Sequence, residues 1–258
     1  MEVRDNQNMN ISAIIIAKNE AKKIKECIES LRWVNEVVVI DNGSEDETAE
    51  IAKKLGAKVF AYNGGNYSDW RNEGAKRAEG EWIIYIDADE RITPELRDEI
   101  VKTLENPSAE IYAIPRRNII LGREMLHGGW WPDYVKRLIK KSSLEKWVGD
   151  LHEEPEVKGS LAHLKKPMIH LKHDNLAEMV TKSNKWSAVE AKLLFDAGHP
   201  PMAWWRFLRI MLGELFYRLI LLRGIFDGPE GVIYSFYQTW SKFLTYAKLW
   251  EMQLKDKK

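Results

Sequence analysis

The sequence lacks most of the features that mark secreted or nucleic-acid-binding proteins. It contains one cysteine, Cys27, in 258 residues, so no internal disulfide can form and a reducing compartment is expected. Its 39 Lys and Arg residues are balanced by 39 Asp and Glu residues, which excludes the overall basic field typical of nucleic-acid-binding proteins. The first ten residues are polar and lack the apolar core of a signal peptide. These absences predict a cytoplasmic protein with no nucleic-acid partner.

Two common phosphate-binding motifs are also missing. No G-x-G-x-x-G follows the first apolar run, and no G-x-x-x-x-G-K-[ST] occurs, which excludes the usual dinucleotide and P-loop sites. A nucleotide bound by this chain would therefore depend on carboxylates and a metal ion.

The first hundred residues alternate between short apolar runs and amphipathic segments. The β-branched runs are typical of strands buried on both faces, and the segments between them have helical spacing. This alternation predicts an α/β fold with a parallel sheet and right-handed crossovers, whose ligands bind beyond the carboxyl ends of the strands. The predicted strands are residues 11–16, 37–40, 58–61 and 82–86.

Capping signals define the predicted helices. Asn19 is positioned to cap the first helix, and the run from Ser44 to Glu47 has capping-box spacing for the second, which would end at Gly56. A third helix is predicted over residues 68–78, and a fourth begins at Thr93, with proline in its first turn.

Acidic residues follow the predicted strands where a ligand would bind. Asp87 and Asp89 stand two apart, and in extended chain this spacing points both carboxylates to one side. Two hard oxygen donors can hold a divalent cation and leave coordination positions for water and phosphate. Asp41 ends the neighbouring strand, where its carboxylate can accept hydrogen bonds from a nucleobase or ribose.

Two groups of segments carry a family resemblance. The first group is Ile14-Ile-Ile-Ala-Lys-Asn-Glu20, Val38-Val-Ile-Asp-Asn-Gly-Ser-Glu-Asp-Glu-Thr48, Trp70-Arg-Asn72 and Ile84-Tyr-Ile-Asp-Ala-Asp-Glu-Arg91. The later group is Pro115-Arg-Arg-Asn118, His127-Gly-Gly-Trp-Trp-Pro-Asp-Tyr134 and Leu151-His-Glu153. The first group resembles the family 2 glycosyltransferases of the GT-A fold, and the later group is similar to the branch that contains lipopolysaccharide inner-core β-1,4-glucosyltransferases.

The resemblance implies inverting transfer of a sugar from a nucleotide-sugar donor, with UDP-glucose as the expected donor and a glycan or lipid-linked acceptor. Asp87 and Asp89 would hold Mg²⁺ or Mn²⁺ against the diphosphate, where the cation stabilises the leaving group. The implied donor-binding residues are Ala17, Asn19, Glu20, Asp41, Gly43, Ser44, Arg71, Asp87, Ala88 and Asp89.

An inverting reaction needs a base for the acceptor hydroxyl, and the resemblance places it after the metal motif. Glu153 is favoured because its Leu-His-Glu context matches the branch, while Asp133, Asp150 and Glu154 stay open. His152 would either orient this base or face solvent. His170 and His173 would either complete a metal shell or serve structural roles.

Trp130, Trp131 and Asp133 are candidates for an acceptor site or a lid, since flat aromatic faces stack on sugars. The alternative is that one or both tryptophans belong to the core. Phosphate-clamping candidates, which are equally consistent with ordinary surface charges, are Arg116, Arg117, Lys136 and Arg137.

Residues 203–258 form a basic, aromatic-rich tail with nine Lys and Arg against five Asp and Glu. Amphipathic helices are predicted over residues 203–222 and 232–250. Such helices pack against the body or a second subunit, or they lie in a membrane interface, which arginine and tryptophan favour. The sequence thus predicts a GT-A domain over residues 1–202 and a helical appendage over 203–258, attached peripherally to the cytoplasmic membrane or forming a homodimer.

Three other functions are weighed against sugar transfer to a hydroxyl. A nucleotidyltransferase would use a similar acidic sheet edge but needs a glycine-rich basic loop after the first strand, which is absent here. A catalytically inactive scaffold would not need Asp87 and Asp89. A peptide thiol in place of a glycan hydroxyl stays open as the acceptor.

Overall fold

The computed structural model describes residues 10–149 and 153–256. The chain divides into two compact units. The first contains the chain up to Arg116 together with Asp133–His170, and the second contains Arg117–Pro132 together with the chain from Leu171 onward. The sequence instead predicted a boundary between a GT-A domain ending at residue 202 and a helical appendage beginning at residue 203. That boundary does not coincide with the division into these two units, and it stays a prediction.

Twelve strands are present in the described part of the chain. They are β1 (Ile11–Ala17), β2 (Glu36–Asp41), β3 (Lys58–Ala61), β4 (Trp82–Asp87), β5 (Glu90–Arg91), β6 (Ile111–Ile120), β7 (Arg123–Glu124), β8 (Asp133–Lys140), β9 (Leu144–Val148), β10 (Glu154–Val157), β11 (Leu161–His163) and β12 (Met168–His173).

Seven α-helices accompany these strands in the same ranges. They are α1 (Ile24–Glu29), α2 (Thr48–Lys54), α3 (Tyr67–Arg77), α4 (Pro94–Glu105), α5 (Leu176–Asp196), α6 (Trp204–Phe216) and α7 (Gly228–Lys255). A π-helical turn follows α6 at Tyr217–Leu221, and 3₁₀ turns lie at Lys141–Ser143 and Gly224–Asp227.

The first unit is built on a mixed sheet in the order β3-β2-β1-β4-β8-β6-β12-β5. The four strands predicted from the sequence pair in parallel as β3-β2-β1-β4, which confirms the α/β prediction. Strand β8 then pairs antiparallel with both β4 and β6. The parallel half of the sheet therefore contains the strands at whose carboxyl ends the sequence predicted ligand binding.

Strand β1 is buried on both faces of the sheet. Ile11, Ala13 and Ile15 contribute to one core cluster, and Ile14 and Ile16 contribute to the other. This split follows the two-residue period of a strand, and it explains why the sequence of β1 is a continuous apolar run and not an alternating one.

The second unit is largely helical, with α7 packed against both α5 and α6. The two predicted tail helices are present with different bounds. The first ends its α-helical part at Phe216, six residues before the predicted end. The second begins at Gly228, four residues before its predicted start, because a proline in the first turn does not interrupt a helix. None of the helices in the described ranges is long and apolar enough to cross a bilayer.

Helix α5 is present in the structure but was not predicted from the sequence, and its buried residues explain why. Its buried positions are Met179, Ser183, Ser187 and Ala191, each four residues from the next. Small and hydroxylated side chains on the buried stripe give no hydrophobic periodicity. They instead permit close contact with α7, where the Ser183 hydroxyl bonds to the Tyr237 hydroxyl at 2.6 Å.

Two glycines within helices provide a matched test of helix packing. A Cβ at Gly74 in α3 would lie 2.4 Å from Cγ2 of the fully buried Ile14, whereas a Cβ at Gly213 in α6 would meet nothing within 4 Å. We expect Gly74→Ala to destabilise the protein by about 1–3 kcal/mol through overpacking. Gly213→Ala should instead stabilise it by roughly 0.5–1 kcal/mol, because alanine is the better helix former. Urea unfolding of both variants checks the pair, and equal effects would contradict the tight contact at Gly74.

Candidate active site

Three parallel strands end together at one edge of the first unit's sheet. Ala17 of β1 lies opposite Asp41 of β2, and Ile16 of β1 lies opposite Asp87 of β4. The carboxyl ends of β2, β1 and β4 therefore bring the predicted acidic loops to the same edge.

Asp41 organises the loop that follows β2. It is nearly buried and accepts a hydrogen bond from the Ser44 hydroxyl at 2.5 Å. The Ser44 oxygen accepts one from the Asn19 backbone N–H at 2.9 Å, and the Asn19 side-chain oxygen accepts one from the Glu45 N–H at 2.8 Å. The loops after β1 and β2 are thus joined into one polar surface. Gly43 stands within it at φ +67°, a conformation that glycine adopts without strain.

A second set of bonds joins the same two loops. The Glu20 N–H donates to Thr48 Oγ1 at 2.8 Å, and the Ala21 N–H donates to Asp46 Oδ2 at 3.1 Å. Asp46 also accepts from the Thr48 N–H at 3.0 Å. Because these contacts use backbone donors of the β1 loop, the position of Glu20 is fixed by the start of α2.

Two predicted helix caps are wrong. Asn19 has φ +56° and lies five residues before α1, whose first turn has no side-chain cap. Ser44 does not form a capping box either, because its hydroxyl is bonded to Asp41 and α2 begins only at Thr48. Both side chains join the loops together instead. The predicted cap at Thr93 is confirmed, since its hydroxyl accepts from the Leu96 N–H at 3.1 Å.

Arg71 lies between two carboxylates at this edge. Its Nη2 is 2.9 Å from Asp87 Oδ1 and 3.0 Å from Glu153 Oε1, and its side chain is only 3% exposed. The guanidinium carbon also lies 4.8 Å from the centre of the Trp147 ring. A charge this deeply buried needs a partner, and Asp87 and Glu153 provide two.

Glu90 contacts the Asp87 backbone and shares Arg137 with the Asp87 carboxylate. Its side chain is fully buried and 2.9 Å from Arg137 Nη2, and Arg137 also bonds to Asp87 Oδ2. Glu90 Oε2 accepts a hydrogen bond from the Asp87 N–H at 2.9 Å, and Arg116 connects Glu90 to Asp133 at 3.5 and 2.8 Å. We call this set the arginine–carboxylate network; its members are Arg71, Arg116, Arg137, Asp87, Glu90, Asp133 and Glu153.

The network shifts the titration of nearby groups. Burial alone would raise the pKa of Asp87, but the positive charges of Arg137 and Arg71 outweigh it and hold this pKa well below its ordinary value. Burial and the negative charges of Asp87 and Glu153 raise the pKa of Tyr67 to about 12. Asp87 is therefore ionised throughout the physiological range, and the Tyr67 hydroxyl is neutral there.

Asp89 lies next to a buried histidine. Its Oδ2 is 3.6 Å from Nε2 of the buried His170 on β12. Ala88 and Asp89 form a turn after β4, so the assumption that this acidic pair lies in extended chain is wrong. The Ala88 side chain is buried in the core, and its carbonyl accepts from Arg91 at 2.8 Å. Within residues 10–149 and 153–256, no group of three or more His, Cys, Asp or Glu side chains is arranged to hold a metal ion.

Residues 12–152 match the family model described as "Glycosyl transferase family 2". The chain belongs to glycosyltransferase family 2. This membership confirms the resemblance read from the sequence and makes the protein a nucleotide-sugar-dependent glycosyltransferase.

Relatives match along nearly the whole length of this glycosyltransferase. A Rickettsia felis glycosyltransferase is 30% identical over 260 residues, covering 96% of this chain and 92% of its own length. The lipopolysaccharide core biosynthesis glycosyltransferase LpsC of Rhizobium meliloti is 28% identical, with 93% and 92% covered. The S. aureus TarS 1–349 structure in complex with UDP-GlcNAc is 16% identical with a TM-score of 0.51, covering 94% of this chain and 89% of that one. This last likeness supports the predicted GT-A fold.

The other carboxylates considered as the base of this glycosyltransferase have different surroundings. Glu154 is exposed and pairs with Lys136 at 2.7 Å, and Asp133 pairs with Arg116. Asp150 and His152 lie outside the described residues. Glu153 contacts Arg71, one of the two arginines that hold Asp87.

The two candidate lid tryptophans belong to the second unit. Trp130 is half-buried and packs edge-on against Tyr234, with ring centres 5.2 Å apart. Trp131 is exposed. His173 also lies in this unit, where its ring packs near Tyr234 and Tyr237. A role for Trp130 and Trp131 in binding the acceptor or closing over the donor stays a prediction.

Several residues of the site were not among the predicted site residues. Glu90 directly follows the acidic pair in the sequence, but its role depends on Arg137, 47 residues away. Arg116 and Arg137 were considered as phosphate clamps, and both instead contact carboxylates in this structure. Tyr67 and Trp147 gave no signal, because aromatic residues are usual in any core.

The depressed pKa of Asp87 gives a pH-dependent prediction for stability. A carboxyl whose folded pKa is lowered contributes stability above its unfolded value, about 3.8, and loses it as pH falls toward the folded value. Asp87→Asn removes the partner of two buried guanidinium groups, at a cost on the order of 3 kcal/mol at neutral pH. We expect the difference between wild type and Asp87→Asn to shrink as pH falls from about 5 to 2. Denaturant unfolding with chelator present measures it.

The matched control is Asp98→Asn. Asp98 pairs with Arg97 on the exposed surface, where ion pairs contribute little. A pH-independent cost for Asp87→Asn, or an equal cost for Asp98→Asn, would contradict the stabilising role of the network.

Proposed function

We propose that this glycosyltransferase moves glucose, with inversion, from UDP-glucose to a hydroxyl of a glycan or glycolipid in lipopolysaccharide or cell-envelope polysaccharide synthesis. The observation that carries the proposal is Arg71, which contacts Asp87 and Glu153 simultaneously and so links a donor-side and an acceptor-side carboxylate. The similarity to LpsC over 93% of the chain supports the acceptor class.

The nucleoside part of the donor is assigned to the joined loops after β1 and β2. Asp41, Asn19 and Glu20 provide carboxylate and amide groups at the sheet edge, and Ser44 holds Asp41 and Asn19 in place. Carboxylate oxygens accept hydrogen bonds from ribose hydroxyls and base N–H groups. This arrangement supports binding of a nucleoside without a glycine-rich loop.

The diphosphate is assigned to the neighbouring end of β4. Asp89 and His170 present oxygen and nitrogen donors 3.6 Å apart, and Asp87 lies two residues before Asp89. This donor set suits Mg²⁺ or Mn²⁺ with positions open to other ligands. We assign Asp89 as the principal cation ligand, with Asp87 and His170 beside it. A bound cation would neutralise charge that develops on the departing diphosphate.

Transfer requires the acceptor oxygen to form a bond to the anomeric carbon while the bond from that carbon to the diphosphate oxygen breaks. The acceptor proton passes to the Glu153 carboxylate, and the nucleoside diphosphate leaves with the bonding electron pair. Arg71 holds Glu153 with two of its nitrogens, which orients the carboxylate. The attack occurs on the face opposite the leaving group, so the configuration inverts.

Glu153→Gln tests the base. We expect kcat for transfer from UDP-glucose to a truncated core-oligosaccharide acceptor to fall about 10²–10⁴-fold, since the amide cannot take the proton. Binding of UDP should persist, because Arg71 keeps Asp87 as a partner. The adjacent Glu154→Gln is the matched control, because Glu154 is exposed and pairs only with Lys136 among the contacts described.

Full activity of Glu153→Gln with a hydroxyl acceptor would contradict the assignment. A thiol is more acidic than a sugar hydroxyl and needs less help from a base. Efficient transfer to a cysteine peptide by the Glu153→Gln variant would therefore favour the alternative thiol acceptor.

Asp89→Asn tests the cation site separately from folding. We expect the melting temperature without ligand to fall less than that of Asp87→Asn, because Asp87 is the partner of two buried guanidinium groups. Wild type should gain a Mn²⁺-dependent thermal shift with UDP and UDP-sugars, ranked by donor preference, and the variant should lose it. Asp98→Asn is the control. An undiminished Mn²⁺-dependent shift in Asp89→Asn would show that the cation is held elsewhere.

A further inference from the structure

Helix α6 carries an exposed apolar column outside the catalytic unit. Its members follow at intervals of four and extend through the π-helical turn: Trp204, Leu208, Leu212, Phe216 and Ile220. Trp204 is 75% exposed and Leu212 68%. Sixteen residues at helical rise place the ends of this column about 24 Å apart. Contiguous apolar surface of this kind on a folded protein marks an interaction site.

The opposite side of α6 is already packed. Phe207 and Ile210 belong to a core cluster built on Ala191 and Leu249, and the Phe207 ring lies 5.8 Å from that of Phe243 on α7. The helix is thus fixed on its inner side within the second unit. The outer column remains exposed when the inner side is packed, so these residues do not hold the helix in place.

The charges around the column have one dominant sign. Residues 204–226 contain four arginines, Arg206, Arg209, Arg218 and Arg223, and one acidic residue, Glu214. Glu214 is neutralised by Arg218 and by Lys242, each at 2.6 Å. Arg206 and Arg209 also lie over the Trp205 ring, at 5.3 and 5.5 Å from its centre. The column is therefore bordered by a net positive charge and by a half-exposed indole.

We propose that the apolar column of α6 inserts into the interface of a lipid bilayer with anionic headgroups. Apolar side chains would enter the acyl boundary, and the arginines would remain among the headgroups. A second copy of this chain fits less well, because pairing the same face would bring two sets of arginines together. The contact that we propose is that of a helix lying along the membrane surface.

Flotation of the full-length protein with vesicles tests this proposal without using enzyme activity. We expect binding to phosphatidylcholine vesicles containing phosphatidylglycerol, weaker binding to phosphatidylcholine alone, and loss of binding in high salt. The double variant Leu208→Gln/Leu212→Gln should reduce partitioning at least about tenfold, since the apolar contact is removed. Leu176→Gln/Leu193→Gln is the matched control, because both leucines are exposed on α5.

A site-specific probe distinguishes insertion from adsorption. Cys27 is fully buried, so a cysteine introduced by Leu212→Cys can be labelled selectively with an environment-sensitive fluorophore. The label should shift to the blue on anionic vesicles, whereas a label at Leu193→Cys should not. Equal responses at both positions, or no vesicle binding, would overturn the proposal. A concentration-dependent dimer abolished by the Leu208/Leu212 variant would overturn it in favour of a second copy.

Discussion

The candidate site depends on the pairing of two guanidinium groups that water does not reach. Arg71 and Arg137 are 3% and 5% exposed, and an unpaired charge at such depth is strongly destabilising. Their partners are Asp87, Glu90 and Glu153, which belong to the end of β4, to β5 and to the segment before β10. These ion pairs therefore hold together chain segments that are more than sixty residues apart in the sequence. The arrangement of side chains at the strand edge depends on them.

The same pairing gives the two acidic residues of the Asp-Ala-Asp motif different environments. Asp87 has an arginine on each oxygen, while Asp89 lies beside His170. A cation at Asp87 would therefore compete with two guanidinium groups. This is why the two residues are expected to respond differently to substitution.

The strands and the acidic edge were predictable because their signals are local. Strands β1, β2 and β4 are apolar runs, and each ends directly at the residues that form the edge. The wrong caps at Asn19 and Ser44 arose because short polar side chains bond equally well to a helix N-terminus or to a neighbouring loop. Only the parallel register of β1 and β2, which places their loops together, decides between the two. Glu90 was beyond prediction for a similar reason, since its buried partners come from β6 and β8.

Helices α5 and α6 show two ways in which the hydrophobic pattern of a sequence fails to predict packing. The buried stripe of α5 contains Ser183 and Ser187, so a packed helix gave no periodic signal. In α6 the sequence predicted an amphipathic helix, and the structure places apolar residues on two of its faces. Phe207 and Ile210 pack inward, whereas Trp204, Leu208 and Leu212 are exposed. Packing against α7 needs only the first face. The second face exposes apolar side chains to water in the isolated chain, which is unfavourable. This is the physical reason to expect that another surface covers it.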